Sequence, residues 1–170
     1  MNLLRVLTKL GLRPSVDDLA DYAVRAAAVR DASPVFEGLS IAQSLGRLGW
    51  EGGEVWKWVA GKASEMGVKD MPFALTACVE ANGAAQVAYQ AIIHELAERC
   101  HVLDGSNEME ARDIALVFWA MARIGQGGGT GVIDALCHRA FEVEWTDAWE
   151  ISLALWGIAR TGAGDDVCLV

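Results

Sequence analysis

The chain is short of positive charge. Fourteen Lys and Arg stand against twenty-three Asp and Glu, a net charge of −9 at pH 7 with a pI near 4.7. That sign excludes a protein that grips phosphates with its whole surface, and any nucleic-acid contact must use a local basic strip. No apolar run reaches the ~18 residues that span a bilayer. The strongest, Ile114 to Ala122, is far too short. There is no CxxC spacing. Cys78, Cys100, Cys137 and Cys168 sit in or beside apolar helical stretches, which predicts reduced, buried thiols and argues against a disulfide framework. No stretch reads as strand-rich, and no long linker divides the chain.

What is present is a recurring phrase with a fixed ending. It reads LLRVLTKLG at 3–11, LSIAQSLGRLG at 39–49, IALVFWAMARIG at 114–125 and ISLALWGIARTG at 151–162, with a weaker copy, FALTACVEANG, at 73–83. The closing glycines are Gly11, Gly49, Gly83, Gly125 and Gly162, at steps of 38, 34, 42 and 37 residues. A glycine-ended helix at a near-constant step predicts a helical-repeat array. The expected fold is all-α, an α-solenoid of tandem antiparallel helix pairs in repeats of about 38 residues, running as one array over residues 1–170.

Counted back from each glycine, the fourth position is apolar (Leu7, Leu45, Val79, Met121, Ile158) and the seventh and eighth mostly so, a 3.6-residue period. The fifth position is small or short at Ser44, Cys78, Ala120 and Gly157, so neighbouring helices can approach closely. In the later copies this first helix is apolar almost all round, predicting burial on more than one side. The glycine provides the left-handed residue that stops it. Second helices are expected over Ser15–Arg30, Glu54–Met66, Ala84–Leu103 and Thr130–Val143, with turns at Asp31–Pro34, Gly67–Asp70 and Asp104–Asn107. After Gly162 only AGDDVCLV follows, too short for a second helix, so a partner or a further segment is expected to cover that end. Residues 1–15 carry Arg5, Lys9 and Arg13 without an acid, like the start of an organellar presequence, although Leu3–Gly11 also fits the repeat.

The strings Asp113 to Gly125 (DIALVFWAMARIG) and Glu150 to Gly162 (EISLALWGIARTG) resemble the first helix of octotricopeptide and heptatricopeptide repeats. These arrays occur upstream of RAP domains in organellar proteins. The shared points are an opening acid, a Leu/Trp-rich middle, a small residue, a basic residue and a final glycine. No RAP-like domain and no Pro-rich PPPEW-like segment accompanies them, which favours the heptatricopeptide-like variant or a divergent relative. The resemblance implies a non-catalytic, RNA-associated protein of mitochondria, or alternatively of plastids or the cytoplasm. A structural subunit of a mitochondrial ribosome or another ribonucleoprotein fits best. The alternative is a protein-interaction scaffold without direct RNA contact, which the charge of −9 supports.

One column carries a functional expectation. Two residues before each glycine stand Lys9, Arg47, Ala81, Arg123 and Arg160, four of five basic. Stacked repeats align such residues along one ridge, where they form an RNA-binding strip. A second reading needs no ligand: a cation in the last turn favours the negative end of the helix dipole, as the acids Glu37, Asp113 and Glu150 do at the other end. Trp119 and Trp156 share a repeat position, which predicts packing between repeats. Trp56 and Trp58, two apart, point about 200° from one another, so one of them is expected to meet a neighbouring repeat, a binding partner or solvent.

Other signals are weaker. The glycine run at 125–131 lacks the Lys-Ser/Thr of a P-loop and follows a helix, not a strand. Cys100-His101 and Cys137-His138 have no zinc spacing, and adjacent helical residues diverge by about 100°. No metal, no cofactor and no membrane contact is expected. No nucleophile–base–acid set is visible, so enzymatic activity is not expected either.

Overall fold

The computed structural model describes residues 35–48, 53–81, 83–100, 109–125 and 131–161, together with 6, 10–11 and 15. Among the described residues the regular structure is entirely helical, with no strand. The helices are α1 (Val35–Arg47), α2 (Gly53–Gly61), α3 (Met71–Glu80), α4 (Gln86–Cys100), α5 (Ala111–Ile124), α6 (Val132–Glu142) and α7 (Ala148–Thr161). Short 3-10 turns occupy Ala63–Glu65 and Val68–Asp70, so the expected second helix over Glu54–Met66 breaks at Gly61 and finishes as a tighter turn. Lys9, the expected helix over Ser15–Arg30, and the turns at Asp31–Pro34 and Asp104–Asn107 lie outside the described residues.

The packing divides into two compact units. One contains α1, α2 and Ala77–Ile92; the other contains Gly67–Thr76 and the chain from Ile93 onward. Helices α3 and α4 therefore each give residues to both.

In the first unit α1 packs against α2. The contact depends on Gly38, because the Trp58 indole of α2 occupies the space where a side chain at 38 would stand. At the far end of α1, Gly46 lies against Ala81, so that a Cβ at 46 would come within 3.2 Å of the Ala81 Cα. Leu39, Ala42, Leu45, Trp56, Val59, Tyr89 and Ile92 form the core. Three polar atoms there, Trp56 Nε1, Trp58 Nε1 and the Tyr89 hydroxyl, have no hydrogen-bond partner among the described residues.

In the second unit the most extensive contact joins α5 and α7, two copies of the recurring phrase. Helix α5 starts where the Glu110 N–H donates to the Asp113 carboxylate at 3.1 Å, and this acid offsets the exposed amides of the first turn. It stops at Gly125, whose φ of 76° is left-handed and whose N–H donates to the Met121 carbonyl at 3.0 Å. The closing glycines Gly11 and Gly83 are left-handed as well. Between its ends α5 buries Ile114, Ala115, Val117, Phe118, Ala120 and Met121, over more than one face, and leaves the stripe Arg112, Leu116, Trp119 and Arg123 half-buried or exposed. The small-residue column is buried throughout: Ser44, Cys78, Ala120 and Gly157. Its role is plainest at Gly157, where an added Cβ would lie 2.7 Å from the Phe118 carbonyl carbon.

Gly157→Ala should therefore destabilise the protein by about 1–3 kcal/mol, because backbone cannot step aside as a side-chain tip does. Gly61→Ala, at a helical position with nothing within 4 Å of the added methyl, should stabilise it by up to about 1 kcal/mol. Urea titrations of both variants against wild type measure the two signs. Equal stability of Gly157→Ala and wild type would disprove the close helix contact.

Candidate functional site

Helix α7 shares its phrase with α5 but not its burial. Only Ala154 and Gly157 are buried on it, while Trp149, Ile151, Leu155 and Trp156 are 52%, 40%, 61% and 44% exposed. Trp156 and the half-buried Trp119 thus differ in environment despite their equal repeat position: α5 has helices on more than one side, and α7 packs chiefly on α5.

The exposed face of α7 is one wall of a groove of about 590 Å³. Ile151, Ala154, Leu155 and Ile158 line it from α7; Cys137, Ala140 and Phe141 line it from α6. Val143 and Trp145 close one end. Phe141 is 73% exposed. The Trp145 indole N–H donates to the Ala140 carbonyl at 2.7 Å, which fixes the ring at the end of α6 and uses the only side-chain N–H among these lining residues. Where the groove ends, Asp147 starts α7 by accepting the Trp149 N–H at 2.8 Å. The lining is predominantly apolar.

Val143 also lines a neighbouring polar hollow, with Glu110, Arg112, Arg139, Glu142, Glu144 and Glu150 around it. Arg139 is bonded to Glu142 at 2.8 Å, and Lys69 stands 4.0 Å from Glu110. Among the described residues Glu144 and Glu150 are in no ion pair. The apolar groove thus borders a surplus of negative charge. Burial raises the Asp113 carboxyl above its usual range, with the neighbouring Glu110 charge adding to the rise against the lowering hydrogen bond from the Glu110 N–H.

The residues singled out from sequence separate. Arg47, at the end of α1, is committed to Glu80: its Nε and Nη2 each donate to one carboxylate oxygen at 2.7 Å. The two side chains are 45% and 23% exposed, so the pair is partly solvated and worth under about 1 kcal/mol. It nonetheless neutralises one member of the basic column. Arg123 and Arg160 are exposed and have no ion pair among the described residues. Trp56 is 1% exposed, and the Trp58 ring rests on Gly38. The two rings thus diverge, as two residues on one helix must. Trp56 enters the core, Trp58 covers a glycine of the adjacent helix, and both rings are used within the unit. The groove residues Phe141, Trp145, Ile151 and Leu155 were not singled out. Their signal was the apolar, all-round character of 149–158 in the last copy, which at α5 correctly meant burial.

The cysteines correct an expectation. Cys137 is disulfide-bonded, so it is not a reduced thiol and cannot act as a metal-binding thiolate with the exposed His138. The Cys100 side chain and His101 lie outside the described residues. Among the described residues no group of three or more His, Cys, Asp or Glu is placed to hold a metal, and no helix is long and apolar enough to cross a membrane. Cys78 is a free, buried thiol, pushed by burial from 9.0 up to about 12. The same burial, helped by Cys78, raises the Tyr89 phenol.

No protein-family model matches the chain, and no curated protein and no solved structure matches it.

The thiol shift fixes a pH dependence. Unfolded Cys78 ionises near 9, whereas the folded thiol stays neutral to about 12. Its contribution to stability is whole below pH 9 and is lost as pH rises from 9 towards 12. Urea midpoints measured from pH 8 to 11 should fall more steeply for wild type than for Cys78→Ala, and iodoacetamide should leave Cys78 unlabelled in the folded protein.

Proposed function

We propose that this chain is a non-catalytic helical-repeat scaffold, a subunit that holds other proteins within a larger assembly. The observation that carries this reading is the α6–α7 groove: about 590 Å³, lined mostly by apolar side chains, with Phe141 and Leu155 largely exposed. Apolar surfaces of this kind mark protein contacts more often than sites of chemistry. The commitment of Arg47 to Glu80 supports the same reading, since it removes one cation from the column that would face an RNA backbone.

The architecture proposed with it is a solenoid of antiparallel helix pairs in repeats of about 38 residues. Its support is that copies of the first helix touch one another through small residues, Gly46 on Ala81 in one unit and Gly157 on Phe118 in the other. Kinship with the octotricopeptide and heptatricopeptide arrays, and with it a mitochondrial or plastid location, belongs to this proposal too. Its basis is the phrase at 113–125 and 150–162.

A second reading, an RNA-associated subunit of a mitochondrial ribosome or other organellar ribonucleoprotein, is favoured by one observation. Arg123 and Arg160 stand exposed at the same repeat position of two helices that pack together. Affinity purification of the chain with and without nuclease, at ~0.15 M and ~0.5 M salt, separates the two. Under the scaffold reading, protein partners survive nuclease and are lost from a Phe141→Gln/Leu155→Gln variant. Under the RNA reading, Arg123→Glu/Arg160→Glu weakens RNA binding and flattens its salt slope by roughly 0.7 per lost phosphate contact. RNA recovery with that signature, without nuclease-resistant protein, overturns the scaffold.

A further inference from the structure

The scaffold reading leaves open what the groove holds, and the inference that follows rests on that reading. We propose that the α6–α7 groove seats an amphipathic helix of a partner protein, apolar on one face and bearing Lys or Arg along the edge that meets Glu144 and Glu150.

Three observations select this occupant. The first is shape. Two helices wall the groove, α6 through Ala140 and Phe141 and α7 through Ile151, Leu155 and Ile158, and a third helix of about 10 Å diameter is what such a trough between helices accepts. The second is internal precedent. Helix α5 carries the same phrase as α7, and α5 is followed by α6, which packs on it and buries Val132, Ile133, Leu136 and Cys137. Among the described residues no helix covers the corresponding face of α7. The contacts that α6 makes through positions i, i+1, i+4 and i+5 are the pattern an occupant of the α7 face has to reproduce. The third is charge. Val143 is shared by the groove and the polar hollow. There Glu142 and Glu110 have cationic neighbours in Arg139 and Lys69, while Glu144 and Glu150, which line the same hollow with Arg112 and Arg139, are in no ion pair among the described residues. An occupant that extends over Val143 brings its edge against these carboxylates, so positive charge there is favoured and negative charge is rejected. A second copy of this chain, with its net charge of −9, is a poor match for that edge.

Three synthetic helical peptides of ~14 residues test this. The first carries the α6-like apolar pattern with flanking Lys, the second the same pattern with Glu for Lys, and the third the Lys residues with the apolar face scrambled. Binding is read by fluorescence anisotropy at ~0.05 M and ~0.3 M salt. The first peptide is expected to bind at least tenfold more tightly than either of the others. Phe141→Gln/Leu155→Gln, which alters two exposed positions without changing charge, should lower its affinity at least tenfold while circular dichroism stays unchanged. Glu144→Lys/Glu150→Lys should reverse the preference between the first and second peptides. Equal binding of the first and second peptides, or insensitivity to the Gln pair, overturns the proposal. So does a wild-type dimer in sedimentation that the Gln pair dissolves, since a second copy then fills the seat. If the peptides fail but the Gln pair still loses nuclease-resistant protein partners, the scaffold reading stands and only the basic helix falls. If neither effect is seen, both fall.

Discussion

Close approach of helix to helix, made possible where a side chain is missing, is the constraint on which the rest of this structure depends. Gly38 lets the Trp58 indole lie on α1, Gly46 meets Ala81, and Gly157 lets α7 descend onto the Phe118 backbone. Dispersion falls steeply with separation, so a helix held off by a single methyl group would forfeit much of its contact. With the helices this near, α5 is buried over more than one face although half of its side chains are only Ala, Val or Ile. The groove depends on the same contact. Because α7 is fixed on α5 through Gly157 and Ala154, its bulkier residues Trp149, Ile151, Leu155 and Trp156 are directed elsewhere, and they remain uncovered.

Features that repeat along the chain were readable from the sequence. The apolar spacing located α1, α3, α5 and α7, the small-residue column marked buried positions, and the closing glycine announced the left-handed stop seen at Gly125. What escaped depends on partners distant in the chain. Arg47 meets Glu80 thirty-three residues away, and no local pattern distinguishes a cation so paired from the exposed Arg123. Trp58 satisfies the angular argument in a way periodicity does not reveal, by lying on a glycine of another helix. The disulfide state of Cys137 is equally non-local. The groove was hidden for a different reason: an apolar helix face reads the same in sequence whether or not something covers it, so 149–158 looked like α5 and behaves otherwise.

The electrostatics and the apolar surface favour the same reading. An acidic chain that spends Arg47 on Glu80 retains little positive field to draw a polyanion. Two exposed arginines, Arg123 and Arg160, remain as the local exception. The exposed carbon of α6 and α7 lies instead beside a hollow whose carboxylates outnumber its cations. Apolar contact and complementary charge are the two components from which protein recognition surfaces are built, the one supplying affinity and the other orientation and selectivity.

The hydrogen bond from Trp145 to the Ala140 carbonyl bears on how fast such a surface acts. A large aromatic ring free in solution must be immobilised when it is covered, and the lost rotamer freedom weakens the complex. Here the indole is already held at the end of α6, so this ring has less freedom to lose on being covered. For the helix proposed to seat there, association would then need little rearrangement of that ring, and its rate would be set by encounter and by the incoming segment's own ordering. Differences in affinity among occupants would consequently arise in how long each stays.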